Sequence, residues 1–174
     1  MVVIVCGVSG VGKTTIGERL AKNLGLPFFD ADDFHSAANI KKMQGGSPLG
    51  EEDRQPWLEA LANKLPDWQS NGGAVLACSA LKESYRMMLE TQCADRPLWV
   101  FLHAPEETIV ERLSGRTSHF FDQRLLHSQL GELETPDYGW LIDARPSAED
   151  IVNEILSRVR ADQKASKSES RLMT

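Results

Sequence analysis

The chain has 174 residues, of which 41% are hydrophobic and 25% charged, and a formal net charge of -6. That fits one ordinary soluble domain, and a chain of this size buries about 70% of the surface its unfolded form exposes, so neither a disulfide scaffold nor structural zinc is needed to hold a core. The acidic balance argues against sequence-independent nucleic-acid binding, which relies on clustered Lys and Arg, and leaves open small anions held in a local basic pocket.

The first strand is expected at residues 2–6. This is the longest apolar candidate for a membrane span, and glycines interrupt it far short of the roughly 18 residues such a span requires. No basic region precedes it, so it does not read as a signal peptide. Cys6, Cys78 and Cys93 form an odd set without CxxC spacing. Cys6 and Cys78 fall in apolar runs, where cysteine acts as a small hydrophobe, and a reducing cytoplasm fits this usage.

Gly7-Val8-Ser9-Gly10-Val11-Gly12-Lys13-Thr14 follows that strand and opens a helical pattern at residues 12–24. It fits G-x-x-x-x-G-K-[ST], in which backbone N–H groups curl around phosphates and the helix dipole favours anions. Lys13 then reaches the terminal phosphates and Thr14 can hold Mg²⁺; Thr15 is the next member of the ATP-binding set. The alternative is a glycine-rich turn with no ligand. A switch GTPase would also need N-K-x-D, and Asn63-Lys64-Leu65-Pro66 lacks the Asp.

A second strand at 27–30 ends in Asp30-Ala31-Asp32-Asp33-Phe34-His35. Carboxylates at the end of a strand beside a phosphate loop face the ligand crevice of an open α/β sheet. Asp30 can order the Mg²⁺ shell and Asp32 can accept a hydrogen bond from an acceptor hydroxyl, against the alternative that Asp32 or Asp33 caps the next helix; for Asp33 capping is the preferred reading. A helix at 53–65 carries Arg54 among acidic residues, with Pro56 in its first turn and Pro66 at its end. A strand at 74–79 leads into a helix at 82–92, where Lys82 and Arg86 lie one turn apart. These three cations could hold an anionic acceptor, or could simply be solvated or paired helix charges.

A strand at 97–103 and a helix at 106–116 precede a polar break, and a further helix spans 124–133. Residues 114–123 suit a lid that brings Arg112 or Arg116 to the phosphates, the alternative being an exposed connection. His119 and His127 have no partner at metal spacing. The last strand, 139–143, ends in Asp143, which resembles the acidic strand end of motor ATPases. As the final strand it would more naturally border the nucleotide base. Ser147 caps a helix at 148–160, and residues 161–174 read as a frayed polar tail. The alternation gives an α/β architecture: a three-layer P-loop kinase fold in one domain (1–160), with a five-stranded parallel sheet, helices on both faces and a small lid.

Taken together, these residues resemble the gluconate kinases, small P-loop sugar-acid kinases related in fold to shikimate and adenylate kinases. The resemblance covers about residues 3–160. Beyond the phosphate loop it is carried by Asp30-Ala31-Asp32 with His35, Asn39-Ile40-Lys41-Lys42-Met43, Gly46-Ser47-Pro48-Leu49 and Asp53-Arg54-Gln55-Pro56-Trp57-Leu58. Further along it includes Cys78-Ser79-Ala80-Leu81-Lys82 with Tyr85-Arg86, Arg116 with His119-Phe120-Phe121, and Ser128-Gln129 with Leu133-Glu134 and Pro136. Departures from the usual pattern are Ala31, Ser36 and Asp122, none of which removes a reactive group.

The resemblance implies ATP-dependent phosphorylation of D-gluconate at its 6-hydroxyl, with Mg²⁺ and usually as a homodimer. It makes Asp32 the residue that orients or deprotonates the hydroxyl and Arg54 the partner of the gluconate carboxylate. His35, Lys82 and Arg86 become polyol or phosphate contacts, and Arg116 the lid arginine. The same fold also serves shikimate- or nucleoside-monophosphate-type kinases, and a non-catalytic nucleotide-binding regulator is the alternative outside enzymology.

Overall fold

The computed structural model describes residues 1–114 and 123–172. Five parallel strands, β1 (Val2–Cys6), β2 (Phe28–Asp30), β3 (Ala74–Cys78), β4 (Leu98–His103) and β5 (Trp140–Asp143), form one sheet in the order β2-β3-β1-β4-β5. β1 lies at the centre, in register with both neighbours, so that Cys6 pairs with Cys78 on one side and Phe101 on the other. Every residue of β1 and β3 is buried, as expected where helices cover both faces of a parallel sheet.

The strand period of two divides the core. Val3 and Val5 face a layer containing Ile16 and Leu20 of α1 (Lys13–Leu24), Ile109 of α6 (Glu106–Ser114), Leu126 of α7 (Gln123–Glu132) and Ile155 of α8 (Ala148–Leu172). Val2, Ile4 and Cys6 face the opposite layer, which holds Trp57, Leu58 and Leu61 of α3 (Glu51–Ala62), Leu65 of α4 (Leu65–Ser70) and Leu89 of α5 (Glu83–Glu90). The three-layer α/β reading therefore holds. The strand order also brings the ends of β1, β2 and β3 to one edge, where the phosphate loop lies beside the acidic end of β2.

Several boundaries differ from the sequence reading. The short helix α2 (Ala37–Gln44) was not anticipated: its eight residues are too few to display an apolar stripe, although Ser36 caps it by accepting from the Asn39 amide at 3.1 Å. α3 begins two residues early, because Asp53 reaches back to accept from the Gly50 amide at 2.7 Å. Pro56 thus falls beyond the first turn, where it removes the donor for the exposed Glu52 carbonyl. Pro66 starts α4 instead of ending α3, a role its fixed φ also suits. α8 continues to Leu172, so the segment after residue 160 is helical as far as it is described. Ala161, Gln163, Lys164 and Ala165 are all good helix formers, and no Gly or Pro interrupts them.

Candidate active site

The phosphate loop turns sharply out of β1 at Gly7, whose φ of 138° suits glycine and where a Cβ would stand 2.6 Å from the Leu102 carbonyl oxygen. Gly12, with φ 115°, is the N-cap of α1, and Lys13 and Thr14 begin its first turn. Lys13 Nζ donates to the Val8 carbonyl at 3.1 Å, so the lysine lies back across the loop. Burial lowers its pKa, against the pull of the Asp32 and Asp30 carboxylates.

Thr14 Oγ1 donates to Asp30 Oδ2 at 2.8 Å. The other Asp30 oxygen accepts from the Asp32 amide at 3.1 Å, capping the 3₁₀ turn Ala31–Phe34. Asp30 is therefore the cap, and the preferred reading of Asp33 as a capping residue is corrected. With that task already filled by the carboxylate two residues earlier in extended backbone, both Asp32 and Asp33 face a cleft of about 600 Å³. Desolvation raises the Asp32 pKa; Lys13 lowers it, and Asp30 and Asp33 raise it further.

The same cleft is lined by Lys13, His35 and Arg54, with Ser9 of the loop and Ser79 at the end of β3. Ile40 and Met43 of α2, with Pro48 and Leu49, make an apolar wall. His35 stacks on Trp57 with ring centroids 4.5 Å apart, and burial followed by the Arg54 charge lowers its pKa to about 4. The imidazole is therefore neutral at pH 7. Arg54, only 8% exposed, donates from Nε to the Leu49 carbonyl at 3.2 Å and from Nη2 to Glu132 at 3.2 Å. Its guanidinium carbon stands 5.6 Å from the Tyr85 ring centroid.

Lys82 and Arg86 are not brought into this group. Lys82 pairs with Glu51 and lies 5.4 Å from the Tyr85 ring centroid, outside the set that lines the cleft. Arg86 is 1% exposed and is engaged within the chain. Its Nη1 donates to the carbonyls of Ala80 and Leu81 at 2.9 and 3.1 Å, Nη2 to that of Glu134 at 3.0 Å, and Nε to Glu83 and Tyr138 at 3.0 Å. The substrate contacts expected of Lys82 and Arg86 are therefore not among those that this cleft lining assembles. The helical spacing put Lys82 and Arg86 near the right strand end, but α5 turns Arg86 into the protein, while Lys82, the residue before the helix, pairs with Glu51 at the surface.

On the other side of the phosphate loop, Gly10, Val11, Gly12, Thr15 and Ile16 border a cavity of about 250 Å³ with Arg112, Ala144, Pro146, Ala148 and Ile151. Arg112 donates to the carbonyls of Val11 at 3.2 Å and Ala144 at 2.6 Å, joining the loop to the segment after β5. Asp143 is held by Arg145 at 2.6 Å, two strands from β1. Arg116 and most of the 114–123 lid segment lie outside the described residues.

The residue-by-residue reading overlooked α7 as part of the site. Gln129 Oε1 accepts from the Ser9 amide at 2.7 Å, and Leu125, Ser128 and Gln129 line the cleft. Their spacing puts them on one helical face, but only the family motif Ser128-Gln129 marked it. Among the described residues no cluster of three His, Cys, Asp or Glu could hold a metal, and no helix is long and apolar enough to cross a membrane.

The chain matches the shikimate kinase family over residues 9–160. It is 39% identical over 173 residues to a probable gluconokinase of Dictyostelium discoideum, covering 92% of this chain and 86% of that protein. A gluconokinase of Gluconobacter oxydans is 45% identical over 136 residues, 76% of this chain and 75% of its relative. The crystal structure of a gluconokinase from Sinorhizobium meliloti superposes with a TM-score of 0.88 at 37% identity, covering 97% of both chains. Similarity of this extent, on a fold that sets a phosphate loop beside a charged acceptor cleft, makes the chain a kinase of the shikimate kinase family and a member of its gluconokinases.

Proposed function

We propose that the chain transfers the terminal phosphoryl group of ATP to the 6-hydroxyl of D-gluconate, giving 6-phospho-D-gluconate and ADP. The observation that carries this reading is the single cleft on which Lys13, Asp32 and Arg54 converge. A cation for phosphate, a carboxylate for a hydroxyl and a cation for an acid group share one space of about 600 Å³.

The phosphate-loop amides and Lys13 hold the transferring group and stabilise its charge, so catalysis is chiefly positioning and electrostatics. Asp32 accepts a hydrogen bond from the 6-hydroxyl and takes its proton as the new O–P bond forms; its raised pKa makes it a stronger base than an ordinary carboxylate. Arg54 pairs with the gluconate carboxylate, and the neutral His35 hydrogen-bonds the polyol. Arg112 belongs to the nucleotide side, with Thr15, and Arg116 is the proposed lid arginine. The hydroxyl of Thr14 and the carboxylate of Asp30, already 2.8 Å apart, are hard oxygen donors of the kind Mg²⁺ takes. Those two residues would hold the ion, directly or through water, and it would neutralise phosphate charge. A homodimer in the cytoplasm completes the proposal, and the three unpaired cysteines suit a reducing compartment.

The test is ADP release with ATP and Mg²⁺ across gluconate, shikimate, AMP and no acceptor. Gluconate is expected to be preferred. Preference for AMP or shikimate would reassign the acceptor, and nucleotide binding without turnover would make the chain a regulator. Lys13→Ala is expected to lower kcat by about a thousandfold or more, since it removes the charge aimed at the transferring group.

A further inference from the structure

The charge that Arg54 presents to the cleft is already shared within the protein. Glu132, near the C-terminal end of α7, accepts from Arg54 Nη2 at 3.2 Å. Its side chain is 25% exposed against 9% for that of Arg54, and it is not among the residues lining the cleft. Its other oxygen lies 3.5 Å from the hydroxyl of Ser128, which does line the cleft, so its charge sits at the edge of the site and bears on Arg54 directly.

Among the described residues, Glu132 is one of three partners of Arg54. The Leu49 carbonyl holds Nε, and the Tyr85 ring lies against the guanidinium. What Glu132 adds is mainly negative charge. The cleft lining contains two cations, Lys13 and Arg54, and two carboxylates, Asp32 and Asp33; Glu132 tips the local balance negative. An entering carboxylate meets an arginine already paired with a carboxylate, and so a like charge beside the group that would bind it.

We propose that Glu132 is a positioning residue in the electrostatic sense: it tempers the hold of Arg54 on the acid group, weakening acceptor binding so that the product, which carries a phosphate besides the carboxylate, leaves readily. This inference rests on the assignment of Arg54 to the acceptor carboxylate. Removing the Glu132 charge strengthens the site for anions, opposite to what loss of a supporting contact would do.

The experiment is steady-state kinetics of Glu132→Gln and Glu132→Ala with gluconate, and with gluconamide as an uncharged acceptor of the same shape. Both variants are expected to lower KM for gluconate by about three- to tenfold, the size expected for removing one like charge at partly screened range. The inhibition constant of 6-phosphogluconate should fall in parallel, with the KM values for gluconamide and ATP within about twofold of the parent. Gln keeps an oxygen for Arg54 Nη2 and Ala does not, so agreement between the two variants identifies charge as the cause. An unchanged or raised KM for gluconate in both, or an equal fall for gluconamide, overturns the proposal. Arg54→Ala, measured alongside, separates the two layers of the reading. If it leaves KM for gluconate unchanged, the carboxylate assignment fails and this inference with it; if it raises KM while the Glu132 variants stay inert, only the role of Glu132 fails.

Discussion

Two buried arginines, Arg54 on α3 and Arg86 on α5, invite comparison because each follows a strand end at the same edge of the sheet and each is less than a tenth exposed. Arg54 spends two donors on the chain, one on the Leu49 carbonyl and one on Glu132, and still lines the cleft. Arg86 places its guanidinium among three backbone carbonyls, Glu83 and Tyr138. One of those carbonyls belongs to Ala80, whose φ of 38° lies in the left-handed region that side chains disfavour. Arg86 therefore holds a strained turn just after Ser79, which itself lines the cleft. The pair teaches that burial does not distinguish an arginine that still reaches a cleft from one wholly committed to the chain; the count of in-chain acceptors does.

That contrast can be broken most directly at Arg86. Arg86→Ala should cost about 3–5 kcal/mol of stability, because it leaves several backbone carbonyls and Tyr138 without their partner and opens a cavity; a melting temperature lowered by about 10 °C or more is the expected reading. A near-native melting temperature combined with a raised KM for gluconate would place Arg86 with the ligand contacts after all. Arg54→Ala should act chiefly on binding. It should raise KM for gluconate by about ten- to a hundredfold, the loss expected for a charge-assisted contact, with KM for ATP within about twofold. Equal increases in both constants would remove Arg54 from the acceptor carboxylate.

A smaller effect links Arg54 to His35. The His35 pKa is lowered from 6.5 to about 4 in the folded protein. Below pH 6.5 the unfolded chain therefore takes up a proton that the folded chain refuses, so this contribution to stability is present above pH 6.5 and is lost as pH falls toward 4. Denaturant titrations across that window should show the decline, and His35→Gln should flatten it. Arg54→Ala should lessen it by removing one of its two causes, whereas Arg86→Ala should leave its slope unchanged. The smallest effect is expected at Lys82: paired with Glu51 and outside the cleft, its change to Ala should move KM for gluconate by less than about twofold.

How much was legible from sequence follows the range of the interactions concerned. The phosphate loop could be read because its chemistry is local: strand, glycines, Lys13 and Thr14 are contiguous, and the structure keeps them as strand, turn and helix start. The acidic end of β2 was legible for the same reason, although Asp30 and not its neighbours caps the turn. α2 was hidden by its brevity. The contacts of Gln129 and Glu132 were not visible residue by residue, since each touches a partner far away in sequence, Ser9 and Arg54 respectively.

The sequence by itself determined the parallel α/β architecture, the phosphate loop and the residue types available to an acidic domain that handles small anions, since periodicity and contiguous motifs are short-range properties. Only the tertiary structure decided which cations serve the cleft. Arg54, Lys82 and Arg86 look equivalent along the chain, and the packing of α3, α5 and α7 separates them. The net charge of -6 describes the whole chain, but binding depends on the few charges that the fold leaves facing the same space.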